Sequence, residues 1–383
     1  MFMASYIEPI RFALIVFPFL ALAISSFFFI YEYRKYGTFI FSRAVILYSF
    51  VFYLLCAYFL IILPLPSKEA VAQMTGPKME LHLFASWVHF RENTVLVLSD
   101  PSTYLPAMRQ SVFLEPVFNV LLLLPFGIYL RYYFRLSFVK TIIASFCLSL
   151  FFELTQLSGL YFIYPRPYRL FDVNDLLTNT IGGTLGYIMT PIFTFMLPTR
   201  ARMDEVSYEK GKTVSLTRRL VAYFIDWAFL SVLSVLIAVT LQLSLKIGDI
   251  TSSSWWVFLE VLLYFMVIPY VTNGLTLGKK IVRIRVVSDN GKRLSFKALF
   301  IRYGYLYFLF YGLAWLSQTI QHITDHTTGV LQVSGIFIVL GVAFAQFIFM
   351  LNLFLSFLRK KRVLFYEKAS QTHTISTIQP KGN

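Results

Sequence analysis

The sequence predicts an all-α polytopic membrane protein of about nine transmembrane helices, on three observations. Hydrophobic residues make up 57% of the chain and charged residues only 14%, against roughly 45–50% and about 25% in soluble domains. Apolar runs recur at 12–31, 44–63, 117–130, 139–157, 176–197, 220–243, 255–271, 298–316 and 330–358. Most approach the roughly 20 residues that a helix needs to cross the hydrocarbon of a bilayer. Helices are the expected form, because a span in lipid must satisfy its own backbone hydrogen bonds. Thirdly, most of the 34 Lys and Arg residues fall in alternate connections, at 32–43, 131–140, 198–219, 272–302 and after 358. Only Arg11, Lys68, Lys78, Arg91, Arg109, Arg166, Arg169 and Lys246 lie in the others. Basic residues gather on the cytoplasmic side, so the N-terminus is expected outside and the C-terminus in the cytoplasm. The net charge of +15 therefore reads as topology and attraction to anionic lipid. No aromatic-rich polar surface accompanies it, so nucleic acid is not an expected partner.

Taken in order, the first run has about 20 apolar residues and no small-residue cleavage pattern, so it is an uncleaved span rather than a signal peptide. The third is interrupted by Pro125 and Gly127 and soon followed by Arg131. The stretch "PTRARMDEVSYEKGKTVSLT", residues 198–217, is the only long charged linker between spans. It separates a five-span domain, 1–197, from a four-span domain, 218–372. No internal repeat relates the two, so nothing points to an inverted-repeat transporter. In the second domain Val282, Ile284 and Val286 alternate with Arg283 and Arg285, the period of a strand. Asp289-Asn290-Gly291 follows as a turn signal, which predicts a small basic cytoplasmic β-hairpin over 279–296. The tail at 373–383 is polar and expected to be disordered. Cys56 and Cys147 both sit in apolar runs, so neither a disulfide nor a cysteine metal site is expected.

Polar residues at the ends of oily helices carry the functional information, since an ionisable group in the membrane is costly and usually has a partner. In "SLFFELTQLSG", Ser149, Glu153 and Gln156 share one helix face at i, i+4 and i+7. In "RLFDVNDLLTNTIGGTLGY", Asp175, Asn179, Gly182 and Gly186 share another. Asn119, early in the third span, falls at the same level of the bilayer. Plainer readings stand beside these. Asp172 can be a helix N-cap with Asp175 in the first turn, Arg169 can snorkel to phosphates, and the glycines can serve close helix packing. As a set, Asn119, Glu153, Gln156, Arg169, Asp172, Asp175 and Asn179 predict a polar ligand-binding pocket open to the outer face. In "RRLVAYFIDWAFL", Arg219 and Asp226 lie two turns apart on one face, a candidate ion pair or ion-coupling site. His322 and His326, with Asp325 between them, lack a fourth ligand, so no metal and no cofactor is expected.

The blocks "NVLLLLPFG", "SLFFELTQ" and "RLFDVNDLLTNTIGGTLGY" resemble those of VanZ-like membrane proteins, over about 45–195. The matching positions are Asn119, Pro125, Gly127, Glu153, Gln156, Arg169, Asp172, Asp175, Asn179, Gly182 and Gly186. The resemblance implies a bacterial plasma-membrane protein that lowers susceptibility to the lipoglycopeptide teicoplanin. The second half resembles the RDD family over about 213–372, through "RLVAYFID", "GLTLGKKIVRIRVV" and Arg302. That family's closing block usually has Asp shortly before Gly-Thr, whereas "LFYEKASQT" offers Glu367 and no Gly. The expected partners are membrane lipids and an amphipathic envelope molecule, either a lipoglycopeptide or a lipid-linked wall component. Two rivals stay open at this point: a secondary transporter or ion exchanger using intramembrane carboxylates, and a lipid-phosphate hydrolase or transferase using paired acids. A non-catalytic assembly factor is a third.

Overall fold

The computed structural model describes residues 4–245, 254–324, 328–358 and 364–378. Lys246, Asp325, His326 and most of the basic run after 358 lie outside them. The chain forms two compact units, one of residues 1–26 with 40–203 and the other of 27–39 with 204–383. The first helix, α1 (Ala4–Tyr36), contributes to both.

In the first unit α2 (Phe41–Ile62) is followed by a long connection holding α3 (Lys68–Ala72), β1 (Met79–Glu80), α4 (Ala85–Asn93), a 3-10 turn (Pro101–Thr103) and α5 (Tyr104–Met108). Then come α6 (Ser111–Tyr132), α7 (Phe138–Leu157), α8 (Gly159–Phe162), β2 (Phe171–Asp172) and α9 (Val173–Thr194). Helix α6 continues through Pro125 without a break, as membrane helices allow when neighbours satisfy the loosened backbone. Here the Tyr53 hydroxyl donates to the Leu122 carbonyl at 2.6 Å, close to the proline. Helices α6 and α9 come into backbone contact at their glycines. A Cβ on Gly182 or Gly186 would collide with the carbonyl oxygen of Val120 or Leu124, and one on Gly127 with that of Gly183. Backbone contact of this kind drives helix association in lipid, where hydrophobic burial gives no net gain. The core beneath is Leu123, Phe126, Phe152 and Ala57 with Ile61 and Ile62 of α2. Two short segments, Met79–Glu80 and Phe171–Asp172, pair in parallel and tie the long connection to the start of α9.

In the second unit α10 (Arg200–Gly211), which begins just before its boundary, leads to α11 (Leu216–Leu245) and α12 (Ser254–Glu260). A π-helix (Val261–Val267) and α13 (Ile268–Val271) extend α12. There follow α14 (Leu277–Ile281), β3 (Ile284–Ser288) and α15 (Phe296–Tyr303). A second π-helix (Gly304–Gly312) leads to α16 (Leu313–Thr324), α17 (Val330–Leu358), α18 (Phe365–Ser370) and β4 (Thr372–Ser376). The expected hairpin is corrected here. Its first strand exists and Gly291 turns with φ +68°, but the chain then enters α15 instead of a second strand. β3 pairs antiparallel with β4, Val286 opposite Thr374, so part of the tail expected to be disordered is ordered. Ile284 and Val286 are buried, and the alternating, β-branched "THTIS" supplies the strand that covers them.

Six helices among the described residues are long and apolar enough to cross a membrane: Ile7–Tyr36, Phe41–Ile62, Ser111–Tyr132, Phe138–Leu157, Leu216–Ser244 and Val330–Asn352. Three of the nine expected runs fall short of that length or apolarity, each for an identifiable reason. Helix α9 is long enough, but Asn174, Asp175, Asn179 and its threonines make it polar. The run at 255–271 contains only a shorter apolar helix, Trp256–Val271. The run at 298–316 is divided among α15, a π-helix and α16.

Candidate functional site

Helix α9 begins at Asp172, whose backbone is extended (φ −125°, ψ 120°) and whose Oδ1 accepts from the Asn174 N–H at 2.7 Å. The Asn174 side-chain amide donates to the same oxygen at 2.7 Å and to the His82 carbonyl at 3.1 Å. Asp172 is thus an N-cap, which satisfies one of the donors that every helix start leaves open. Glu153 on α7 is buried, and its Oε2 accepts from the Asp172 backbone N–H at 3.0 Å. Asp175, one turn into α9, accepts at Oδ1 from Asn119 Nδ2 on α6 at 2.6 Å. Three helices therefore bring Glu153, Asp172, Asp175 and Asn119 to one end of the bundle. The three carboxylates lie within electrostatic range of one another and of Arg169. Among the described residues, Glu153 Oε1, Asp172 Oδ2 and Asp175 Oδ2 accept no hydrogen bond.

The remaining predicted residues divide. Asn179 lies deeper, buried, with Nδ2 donating to Ser149 Oγ at 3.0 Å. It links α9 to α7 below the acids. Gln156 Nε2 donates to the Ile61 carbonyl at 3.3 Å, the Tyr168 hydroxyl to Ile62 at 2.7 Å, and Arg169 Nη2 to Leu63 at 2.7 Å. Those carbonyls belong to the C-terminus of α2, where helix geometry leaves acceptors unpaired. Gln156 therefore fastens α2 and is not part of the acid group. Arg169 does both: it caps α2 through one nitrogen and stays solvent-exposed beside the carboxylates. Sequence reasoning missed Asn174 and the His82 carbonyl, which pin the mouth of α9 to the long connection. The Asp-x-Asn spacing at 172–174 signals an Asx-type turn, but nothing in the sequence brings His82 to it.

In the second unit the expected Arg219–Asp226 pair does not form. Arg219 Nη1 donates to Glu367 Oε2 at 2.7 Å, while Arg302 Nη2 reaches Glu367 Oε1 at 3.0 Å. Glu367 is fully buried. Burial alone would raise its carboxyl pKa, but Arg302 and Arg219, with the Leu364 N–H, outweigh that and hold it below the ordinary value. Arg302 also donates to Thr372 and Thr374 of β4, at 2.8 and 3.0 Å. Asp226 is buried with donors all around it: Tyr264 OH at 2.7 Å, Thr276 Oγ1 at 2.6 Å and the Gly278 N–H at 2.6 Å. Lys279 Nζ stands 4.0 Å away. A carboxylate so provided for anchors the 276–279 turn against α11. His322 lies in α16.

The long apolar helices and the two units define a multi-pass membrane protein of two modules. Residues 50–194 match the family model described as VanZ/LLP1 and residues 213–370 that of the RDD family, so the chain carries a VanZ-like domain followed by an RDD family domain. No curated protein and no solved structure matches the chain. Every residue of the acid group lies inside the first match, and Arg219, Asp226, Arg302 and Glu367 lie inside the second. In this chain Glu367 holds the carboxylate position that faces the two arginines, with no Gly-Thr pair after it.

Proposed function

We propose that the VanZ-like domain binds an amphipathic envelope molecule, a lipoglycopeptide or a lipid-linked wall component, at its polar mouth, and so lowers susceptibility to teicoplanin. The observation that carries this reading is that Glu153, Asp172 and Asp175, each with one oxygen that accepts no hydrogen bond among the described residues, lie within electrostatic range of one another and of exposed Arg169. Sugar hydroxyls or an amine would donate to the carboxylates. Arg169 has nitrogens left for a phosphate or carboxylate, with the bidentate geometry that guanidinium favours. Asn119 orients Asp175, while Asn179 and Gln156 hold the helices that carry the acids.

In this reading the protein sits in a bacterial plasma membrane with the N-terminus outside, nine spans, and the acid group facing the envelope. The distribution of Lys and Arg supports that orientation, and the three shorter or more polar helices cross by packing against their neighbours. Expression in a teicoplanin-susceptible bacterium tests the reading. The wild-type chain is expected to protect, and Asp172→Asn and Asp175→Asn to remove protection at unchanged membrane abundance. Asn caps a helix about as well as Asp, so a loss at Asp172 cannot be charged to the cap. If both variants are abundant and still protect, the acids are structural.

A further inference from the structure

We propose that residues 79–108 form an interfacial element seated in the lipid surface at the leaflet where α2 ends and α6 begins. The segment is fixed in place and yet apolar outward. Leu98 is 82% exposed, Trp87 67% and Leu81 61%, and Leu83, Phe84 and Leu105 are exposed as well. A surface that meets only water seldom exposes so many large apolar side chains in one short segment. Its conformation is nonetheless set from within. The parallel pairing of Met79–Glu80 with Phe171–Asp172 holds one end. Gln110 accepts from the Val95 N–H at 2.9 Å and donates to the Asn93 carbonyl at 3.1 Å, and Phe90 packs on Phe113 with centroids 6.2 Å apart. The exposed side chains are therefore presented rather than left over.

Lipid is the occupant because of where the segment is tethered. Its far end runs straight into the membrane-length helix Ser111–Tyr132, and its near end is paired to the start of α9, so both ends are held close to helix ends. α4 packs on the first turn of α6 through Phe90 and Phe113, and Leu121, two turns further along α6, is itself exposed. Trp at such a level suits the boundary between headgroups and acyl chains. The seating is apolar and not electrostatic. Within 79–108 the only Lys or Arg is Arg91, against Glu80, Glu92 and Asp100, so attraction to anionic lipid contributes nothing. It does not depend on the ligand reading. Should that reading also hold, a lipid-borne ligand would meet Asp172 from within the leaflet, since β1 pairs directly with β2.

Spin labels on the full chain in phosphatidylcholine nanodiscs test the proposal. In a Cys56→Ala, Cys147→Ala background, nitroxides are placed at Val88→Cys and, separately, Leu98→Cys. Leu121→Cys serves as the lipid reference and Lys210→Cys as the aqueous one. Oxygen, which partitions into lipid, should relax both test labels more than a water-soluble nickel chelate does, at a ratio between those of Leu121 and Lys210 and well above that of Lys210. High salt and added anionic lipid should leave that ratio unchanged. A nickel-dominated ratio like that of Lys210 would overturn the proposal. So would labels shielded from both reagents with dipolar broadening between copies, which would assign the patch to a dimer contact. Two independent positions keep the test decisive if one variant fails to fold.

Discussion

Glu367 shows how a single buried carboxylate can hold together segments distant in sequence. Its two oxygens are divided between Arg219 at the start of α11 and Arg302 on α15. Removing one partner of a buried pair leaves the other charge uncompensated, at a cost of about 3–5 kcal/mol. Because its folded pKa is depressed, Glu367 adds stability above its ordinary value of 4.5, and that stability is lost as pH falls through the folded value. Thermal unfolding of the solubilised chain should therefore show a midpoint that falls as pH drops below that ordinary value of 4.5. Glu367→Gln should lower the midpoint at neutral pH and flatten that acid limb. An unchanged limb would place the titration elsewhere. The same scale shows what was legible in the sequence. Helical spacing placed Glu153 and Ser149 on one face of α7, and the structure buries both. It could not show that Arg219 turns from Asp226 to a carboxylate 148 residues away, because long-range pairing leaves no local period.

Among the elements, the α6–α9 crossing positions the acids. Asn119 reaches Asp175 only because Gly182 and Gly186 let the two backbones touch below them. Gly182→Leu is expected to push the helices apart and destabilise by about 1–3 kcal/mol or more, as overpacking does. Gly341→Ala, where an added Cβ meets nothing within 4 Å, should be neutral. Thermal midpoints of the two purified variants decide this, and equal midpoints would mean that the crossing is loose. The small-xxx-small spacing at Gly182 and Gly186 was readable from sequence. The β3 partner was not: "DNG" turns as its residues dictate, yet the strand that completes the sheet comes from "THTIS", whose polar composition resembled a disordered tail. Helix α6 was legible except for its length, since membrane neighbours absorb the break that Pro125 would cause in water.

For the whole molecule, the proposed orientation puts the 64–110 connection outside and the C-terminal segment inside. A Cys replacing exposed Gln73 should react with an impermeant reagent in intact cells. One replacing exposed Ala369 should react only after permeabilisation, both in a Cys56- and Cys147-free background. The reverse pattern would turn the acid group toward the cytoplasm. The central claim is that Glu153, Asp172, Asp175 and Arg169 form one ligand site, and direct binding of teicoplanin to the full chain in nanodiscs tests it most closely. The account predicts saturable binding by the wild type, weakened at least tenfold, about 1.4 kcal/mol, by Asp175→Asn and by Arg169→Lys. The double variant should lose less than the sum of the two, because residues serving one site do not act additively. Equal affinity in the wild type and all three variants, or no binding by the wild type, would contradict it.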